Sequence, residues 1–398
     1  MGASERARGL LRLTLAPGLG PVRIARLIEA FGDADRVMRA SPAELARVRG
    51  IGGVTARRAA EGLRAAASLV DEEITRIERA GAHLVAIGED AYPPLLAQTP
   101  GAPPVLMVRG EIRAHADDRY AVAIVGSRRC TAYGVEQAER FAGVLAGAGI
   151  TIVSGGARGI DAAAHRGAMH AGGRTIAVLG CGLGQCYPPE HKDMYDEIAG
   201  GRGAVVSELP METAPDAQNF PARNRIISGF ALGVLVIEAG EGSGALITAK
   251  HALEDHGREV MIVPGRADSA ASRGGLKMIR DGEAALVVDP GDVLTTIERA
   301  ARHHFEGTHG AITLDPTRPA PGEPDPDLFE GGGGRGAPSS VPAANERQRA
   351  LLAALDAPRT LDELVAATGH DASVVRAELT VLEIQRRVRR LGSRFGRA

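Results

Sequence analysis

Tryptophan is absent from this 398-residue chain, and aromatic residues together make up only 3 % of it. With 44 % apolar residues, the cores must be mostly aliphatic, and each aromatic side chain that does occur calls for an explanation. Cysteine is scarce too. Cys130, Cys181 and Cys186 are odd in number and lack zinc-type spacing, so buried apolar roles are expected for them rather than a disulfide framework or a metal site. No apolar stretch reaches membrane-spanning length, and the N-terminus, Met-Gly-Ala-Ser-Glu-Arg-Ala-Arg, leads into a helix-like pattern without a signal-peptide core. A cytoplasmic protein with reduced thiols and no membrane partner is expected.

Charge of one sign is missing as well. The net charge is −2, so any affinity for a polyanion must come from local basic clusters. Two phosphate signatures are also lacking. There is no Gly-x-x-x-x-Gly-Lys-Ser/Thr loop, which excludes ATP hydrolysis by that route, and no dinucleotide fingerprint follows the first strand. No cofactor and no metal are expected.

What is present centres on residues 150–165, Ile-Thr-Ile-Val-Ser-Gly-Gly-Ala-Arg-Gly-Ile-Asp-Ala-Ala-Ala-His. An apolar run breaks into a glycine turn, and an Ala-rich helical segment follows with Asp161 in its first turn. Strand, turn and helix in this order expose backbone N–H groups where the helix dipole favours an anion. Arg158 adds a planar fork of donors suited to phosphate oxygens. A tight turn that only joins helix to sheet is the bland alternative.

Residues 9–68 are expected to form short helices over 13–19, 22–31, 42–48 and 54–69. Glycine hairpins interrupt them at Pro17-Gly18-Leu19-Gly20 and Gly50-Ile51-Gly52-Gly53. Both fit a helix-hairpin-helix that offers N–H groups to a phosphate, with Arg23 and Arg26 after the first and Arg57 and Arg58 after the second. A ligand-free helical bundle fits them as well.

From about residue 71 to 302 the pattern becomes apolar runs alternating with helix-length segments: 84–87, 121–125, 150–153, 175–179, 204–206, 234–237, 260–263 and 285–288. Such continuous runs indicate a mostly parallel sheet covered on both faces, in which ligands sit beyond the carboxyl ends of the strands. Those ends carry Gly126-Ser127-Arg128-Arg129, then Ser154-Gly155-Gly156-Ala157-Arg158-Gly159, then Gly180-Cys181-Gly182-Leu183-Gly184, and then Gly240-Glu241-Gly242-Ser243-Gly244. Four strand ends rich in small residues, two of them with arginine, converge on one edge. Before the run at 234 lies Asn219-Phe220-Pro221-Ala222-Arg223-Asn224-Arg225. An aromatic beside two arginines suits stacking of an unpaired base with its phosphates neutralised nearby, although a hydrophobic staple would also explain Phe220.

Residues 303–343, rich in Pro, Gly and Asp and including Gly331 to Gly334, form an expected flexible linker. Helical segments over 345–355, 361–368 and 372–385 then precede a basic end with six arginines and no acid from Arg386 onward. Thr360 and Asp371 are expected N-caps. The order fits a small winged helix whose wing either touches phosphates or an acidic partner, or is simply solvated.

The fold class is therefore α/β: a Rossmann-like, doubly wound, mostly parallel sheet (71–302), a small N-terminal helical domain of helix-hairpin-helix or SAM-like type (1–70), and a C-terminal winged helix (344–398) behind the linker. The motifs Ile-Val-Gly-Ser-Arg-Arg (124–129), Ser-Gly-Gly-Ala-Arg-Gly-Ile-Asp-Ala-Ala-Ala-His (154–165), Phe-Pro-Ala-Arg-Asn-Arg-Ile-Ile-Ser-Gly (220–229), Val-Ile-Glu-Ala-Gly (236–240), Ser-Gly-Ala-Leu-Ile-Thr-Ala (243–249) and Val-Pro-Gly (263–265) span the sheet domain in order. In these the chain resembles the DNA-processing protein A, or Smf, family. The resemblance implies a non-enzymatic homodimer that binds single-stranded DNA at the sheet edge, protects it and loads the RecA recombinase onto it during natural transformation. It implies a DNA site of Ser127, Arg128, Arg129, Ser154, Gly155, Gly156, Arg158, Gly159, Phe220, Arg223, Asn224, Arg225 and Ser243, with Lys250 as an addition. One departure is Leu276, where the family usually has Asn.

Two rivals remain. The sheet and glycine turn also resemble the nucleotide phosphoribohydrolases, but the helix positions that would hold paired glutamates read Ala162, Ala163 and Ala164, and Asp161 stands alone. A pure adaptor with an idle pocket is the other, against which the arginines speak, since clustered cations repel without an anion. Among the candidate acids and bases, Asp161, His165, Glu208 and Glu238, no nucleophile-base spacing appears.

Overall fold

The computed structural model describes residues 3–306, 345–384, 387–391 and 394–397. The linker expected over 303–343 lies outside these except for its first four positions, and so does Arg386.

Helix α1 (Glu5–Leu15) starts at Ser4, whose hydroxyl accepts from the Ala7 amide, and ends before Pro17 and Gly18. It lies earlier than the helix expected over 13–19, because Pro17 cannot continue a helix begun upstream. Helices α2 (Pro21–Phe31), α3 (Ala34–Arg39) and α4 (Pro42–Leu45) follow, of which α3 was not expected. Helix α5 (Gly53–Arg79) runs without a break through residue 70. The core beneath it joins Leu11, Leu27, Leu63 and Ile77 to Met107 and Met211 of the sheet region. The N-terminal module therefore rests directly on the sheet.

The remaining elements are β1 (Ala82–Ala86), α6 (Pro94–Ala97), β2 (Val105–Gly110), β3 (Ala121–Gly126), α7 (Ala132–Gly147), β4 (Thr151–Ser154), α8 (Ile160–His170), β5 (Thr175–Val178), α9 (Lys192–Glu197), β6 (Gly203–Ser207), α10 (Asn219–Phe230), β7 (Gly233–Ile237), α11 (Ala245–Lys250), β8 (Glu259–Val263), α12 (Arg273–Arg280), β9 (Ala285–Leu286) and α13 (Pro290–Glu306). Nine strands are ordered β1-β2-β6-β5-β4-β3-β7-β8-β9. From β6 to β9 all pairs are parallel, whereas β1–β2 and β2–β6 are antiparallel. Strand β2 is absent from the eight sequence runs because a four-residue apolar run between a Pro pair and Arg-Gly has no periodicity to mark it.

The central strands bury both faces. Val122 and Ile124 of β3 and Leu235 and Ile237 of β7 pack on one side with Phe141 of α7 and Ile297 of α13. Ala121, Ala123, Val125, Val234 and Val236 pack on the other with Ile226 and Ala249. Strand order reverses between β3 and β7, and a crevice opens at that switch point.

The C-terminal part forms α14 (Glu346–Ala354), β10 (Arg359–Thr360), α15 (Leu361–Thr368), α16 (Ala372–Ile384), β11 (Val388–Leu391) and β12 (Arg394–Arg397). Thr360 caps α15, its hydroxyl accepting from the Glu363 amide. The third helix, α16, packs against α13 and α7, and its Val381 joins the sheet's core. At the seam, Asn345 Nδ2 donates to Gly147 O (3.1 Å) and Gln348 Nε2 to Ala148 O (3.3 Å), while the Glu378 carboxyl accepts from Asn345 Nδ2 (3.3 Å).

Burial pushes the Glu378 carboxyl up to about 7. The folded state thus holds this proton over the range from about 4.5 to 7, where the unfolded chain has lost it. Stability is expected to fall as pH rises through that window and to level off above it, by at most ~3 kcal/mol. Denaturant melts at pH 5 and 8 should show the difference, and Glu378→Gln should remove it. A variant that keeps the full pH dependence would assign it to another group.

Candidate functional site

At the switch point lies a cleft of about 870 Å3, walled by Ser127, Arg128 and Arg129 after β3, Asp161 on α8, Phe220, Arg223 and Asn224 on α10, and Ser243 after β7. Its floor is tightly pinned. The Ser127 amide donates to Glu238 O (2.8 Å), and the Ile160 amide donates to Ser127 O (3.2 Å). Gly159, at φ +79°, brings the turn after β4 so close that a Cβ there would meet Ser127 O at 2.4 Å. Glu238 itself holds φ +50°, and its carboxylate accepts from the Thr131 amide (2.8 Å) and hydroxyl (2.5 Å) at the start of α7. A non-glycine residue in this region costs ~1 kcal/mol or more. Here the two acceptor bonds hold it in place.

Along one wall runs a ladder in which two neighbouring rings lie between two cations. The Arg128 guanidinium lies 5.1 Å from the Phe220 ring centre, Phe220 lies 5.5 Å from Tyr187, and Arg158 lies 6.0 Å from Tyr187. Tyr187 is a residue that sequence reasoning missed. Its signals were the general scarcity of aromatics and its place in Tyr187-Pro188-Pro189-Glu190, just after the strand end at 180–184, neither of which marks a site residue. Arg158 closes the ladder but lies outside the cleft wall, held by two contacts to Glu190 at 2.5 and 3.1 Å.

Arg223 and Arg225, expected to act side by side, point apart. Two positions on a helix are about 200° apart. Arg223 is only 4 % exposed; its Nη1 donates to Val178 O (2.5 Å), and its Nε has no partner. Arg225 leaves the cleft altogether and pairs with Glu208 at 2.5 Å, which corrects its placement among residues that meet a ligand there. Beside Arg223 sits Asp161, whose Oδ2 lies within 3 Å of the point a Gly155 Cβ would occupy, as Arg223 Nη1 does. Only glycine leaves room for both. Burial raises the Asp161 pKa, with Arg223 opposing.

The other expected residues divide in the same way. Ser154 is wholly buried, and its hydroxyl donates to Ile124 O at 2.6 Å, tying β4 to β3. The Gly156 carbonyl accepts from Tyr195 Oη (2.8 Å). Ser243 Oγ accepts from the Ala245 amide (3.3 Å), and Asn224 Nδ2 donates to Gly244 O (3.2 Å). Lys250 lies outside the cleft, near Lys277 and Asp281, and Leu276 sits within α12. Of the candidate acids and bases, His165 is buried against Thr175 (2.7 Å) with its pKa pulled to about 3 by burial, and only Asp161 reaches the cleft. Among the described residues no group of His, Cys, Asp or Glu could hold a metal ion, and no helix is long and apolar enough to cross a membrane.

A family model described as DNA recombination-mediator protein A matches residues 83–298, across the strands that form the cleft. The chain belongs to this family. A DprA winged-helix model matches 335–393, and a SAM-like helix-hairpin-helix tandem model matches 10–65. Protein Smf of Synechocystis is 33 % identical over 96 % of each chain. Protein Smf of Escherichia coli is 41 % identical over 62 % of this chain and 65 % of its own length. The X-ray structure of DNA processing protein A from Streptococcus pneumoniae superposes with a TM-score of 0.63 at 32 % identity, covering 74 % of this chain and 98 % of that one. The likeness to that DprA structure extends over most of the described fold.

Proposed function

We propose that this chain binds single-stranded DNA in the switch-point cleft, protects it, and as a homodimer passes it to the RecA recombinase during DNA processing in transformation. The observation that carries the reading is the ladder of Arg128, Phe220, Tyr187 and Arg158 at the rim of a cleft containing Ser127 and Arg129. Two neighbouring rings flanked by cations offer faces to unpaired bases and charge to their phosphates, with little regard to sequence. Leu286 of the edge strand β9 and Val288 just beyond it are 54 % and 59 % exposed, and this apolar patch supports a two-fold contact between copies. A phosphoribohydrolase needs a second acid near Asp161; α8 offers only buried Ala162, Ala163 and Ala164 there, which favours binding without catalysis.

The reading is tested by fluorescence anisotropy of a labelled thymidine oligomer across a salt series. With roughly three to five phosphates neutralised, log K should fall with log salt at a slope of about −2 to −3.5. A flat response would sink it. RecA transfer is tested separately, by whether the chain shortens the lag of filament assembly on single strands covered by a single-strand-binding protein.

A further inference from the structure

The arginines of the cleft and its rim differ in how free they are. Arg128 and Arg129 have no carboxylate within ion-pair distance among the described residues. Arg223 is buried beside Asp161, and Arg225 is paired with Glu208 where both side chains are largely buried. Arg158 is the one whose ion pair is open to water, its side chain 51 % exposed and that of Glu190 49 %. A pair in that setting exchanges partners readily, because water screens it and solvates whichever charge is left over.

The pair is nevertheless well formed. Nε and Nη2 of Arg158 donate side by side to the two Glu190 oxygens, at 2.5 and 3.1 Å, the geometry that a phosphate would use on the same edge. Glu190 does not depend on Arg158 for its position. It follows Pro188 and Pro189, and the residues around it are tied to the glycine turn after β4. His191 Nδ1 donates to Gly156 O at 2.9 Å, and Tyr195 Oη lies 2.8 Å from the same carbonyl and 3.1 Å from Tyr187 O. Gly156, at φ +65°, leaves room for that ring, since a Cβ there would meet Tyr195 Oη at 2.5 Å. A carboxylate so held remains in place when the long Arg158 side chain turns elsewhere.

Arg158 also ends the ladder, 6.0 Å from the Tyr187 ring centre, so a strand whose base meets Tyr187 brings a neighbouring phosphate to this arginine. There the phosphate competes with Glu190, a tethered rival whose effective concentration does not fall when the protein is diluted. We infer that Glu190 is a built-in phosphate mimic that competes with the strand for Arg158, weakens the outermost phosphate contact and speeds release of the strand from that end. The inference rests on the single-strand reading above. It carries its own salt signature: a phosphate that displaces Glu190 releases a counterion while the freed carboxylate takes one up, so this contact adds little to the salt slope.

The test uses the full chain and the labelled thymidine oligomer, with Glu190→Gln as the informative variant. Amide for carboxylate keeps the size of the side chain and removes its charge, and an exposed pair adds little to stability, so the thermal midpoint should hold. Affinity is expected to rise about two- to fivefold at low salt, with a salt slope steeper by about 0.7 and slower dissociation into unlabelled competitor. Arg158→Ala should lose less affinity than Arg128→Ala, since Glu190 already neutralises its charge, and in the Arg158→Ala background Glu190→Gln should change nothing. The inference is overturned if Glu190→Gln binds as the wild type does, or if the gain survives without Arg158, which would make it a general effect of charge. Weaker binding by Glu190→Gln would also overturn it, making Glu190 a support that aims Arg158 at the phosphate. A wild-type chain that does not bind the oligomer, or binds it regardless of Arg128, fails the single-strand reading and takes the inference with it; binding that depends on Arg128 but is indifferent to Glu190 sinks the inference alone.

Discussion

Arg128→Ala is expected to weaken binding of a labelled thymidine oligomer by about 10- to 100-fold, because one side chain supplies both a charge for a phosphate and a cation against Phe220. Charge-assisted contacts and base stacking are each worth ~1–3 kcal/mol, and 1.4 kcal/mol is tenfold. Phe220→Ala should cost a similar factor by a different route. It removes a stacking surface but no charge, so its salt slope should match the wild type, whereas that of Arg128→Ala should be shallower by about 0.7. Anisotropy titrations of both variants at several salt concentrations separate the two roles. Wild-type affinity in Arg128→Ala would move the single-strand site away from the switch point.

Asp161→Asn carries the second large effect, this time on stability. The substitution keeps shape but leaves the Arg223 guanidinium buried beside a neutral amide, and the loss of that opposing charge, offset by the relief of no longer burying a carboxylate, is expected to cost ~1–3 kcal/mol. Urea denaturation should show the midpoint falling accordingly. Oligomer affinity at low temperature should hold or rise, since a negative charge has left the cleft. An unchanged midpoint would show that Arg223 is neutralised by something other than Asp161. Loss of binding without loss of stability would make Asp161 a ligand contact.

Much of this architecture was legible because its signals are local. Each of the eight apolar runs became a strand, and Thr360 capped its helix, since buried parallel strands and N-caps are written in a few adjacent residues. Strand β2 was not, because four apolar residues without a period do not declare their partner. The site was legible at its strand ends, where Ser127, Arg128 and Ser243 follow directly from chain order. It failed where direction mattered. Arg225 belongs to the same short motif as Arg223, yet the helical period sends it to Glu208. Ser154 lies in the glycine turn but faces the neighbouring strand. Tyr187 and the Asp161–Arg223 neighbourhood depend on residues far apart in sequence, which no single motif brings together.

The seating of α16 has one more consequence. In helix-turn-helix relatives of the winged helix, the last helix is the one that enters a major groove. Here that helix lies against α13 and α7 and contributes Val381 to the core beneath the sheet. The face of α16 spent in this packing cannot also be placed against base edges, the only part of a duplex where A·T and G·C are fully told apart. While α16 stays docked, that face of the helix is closed to a major groove.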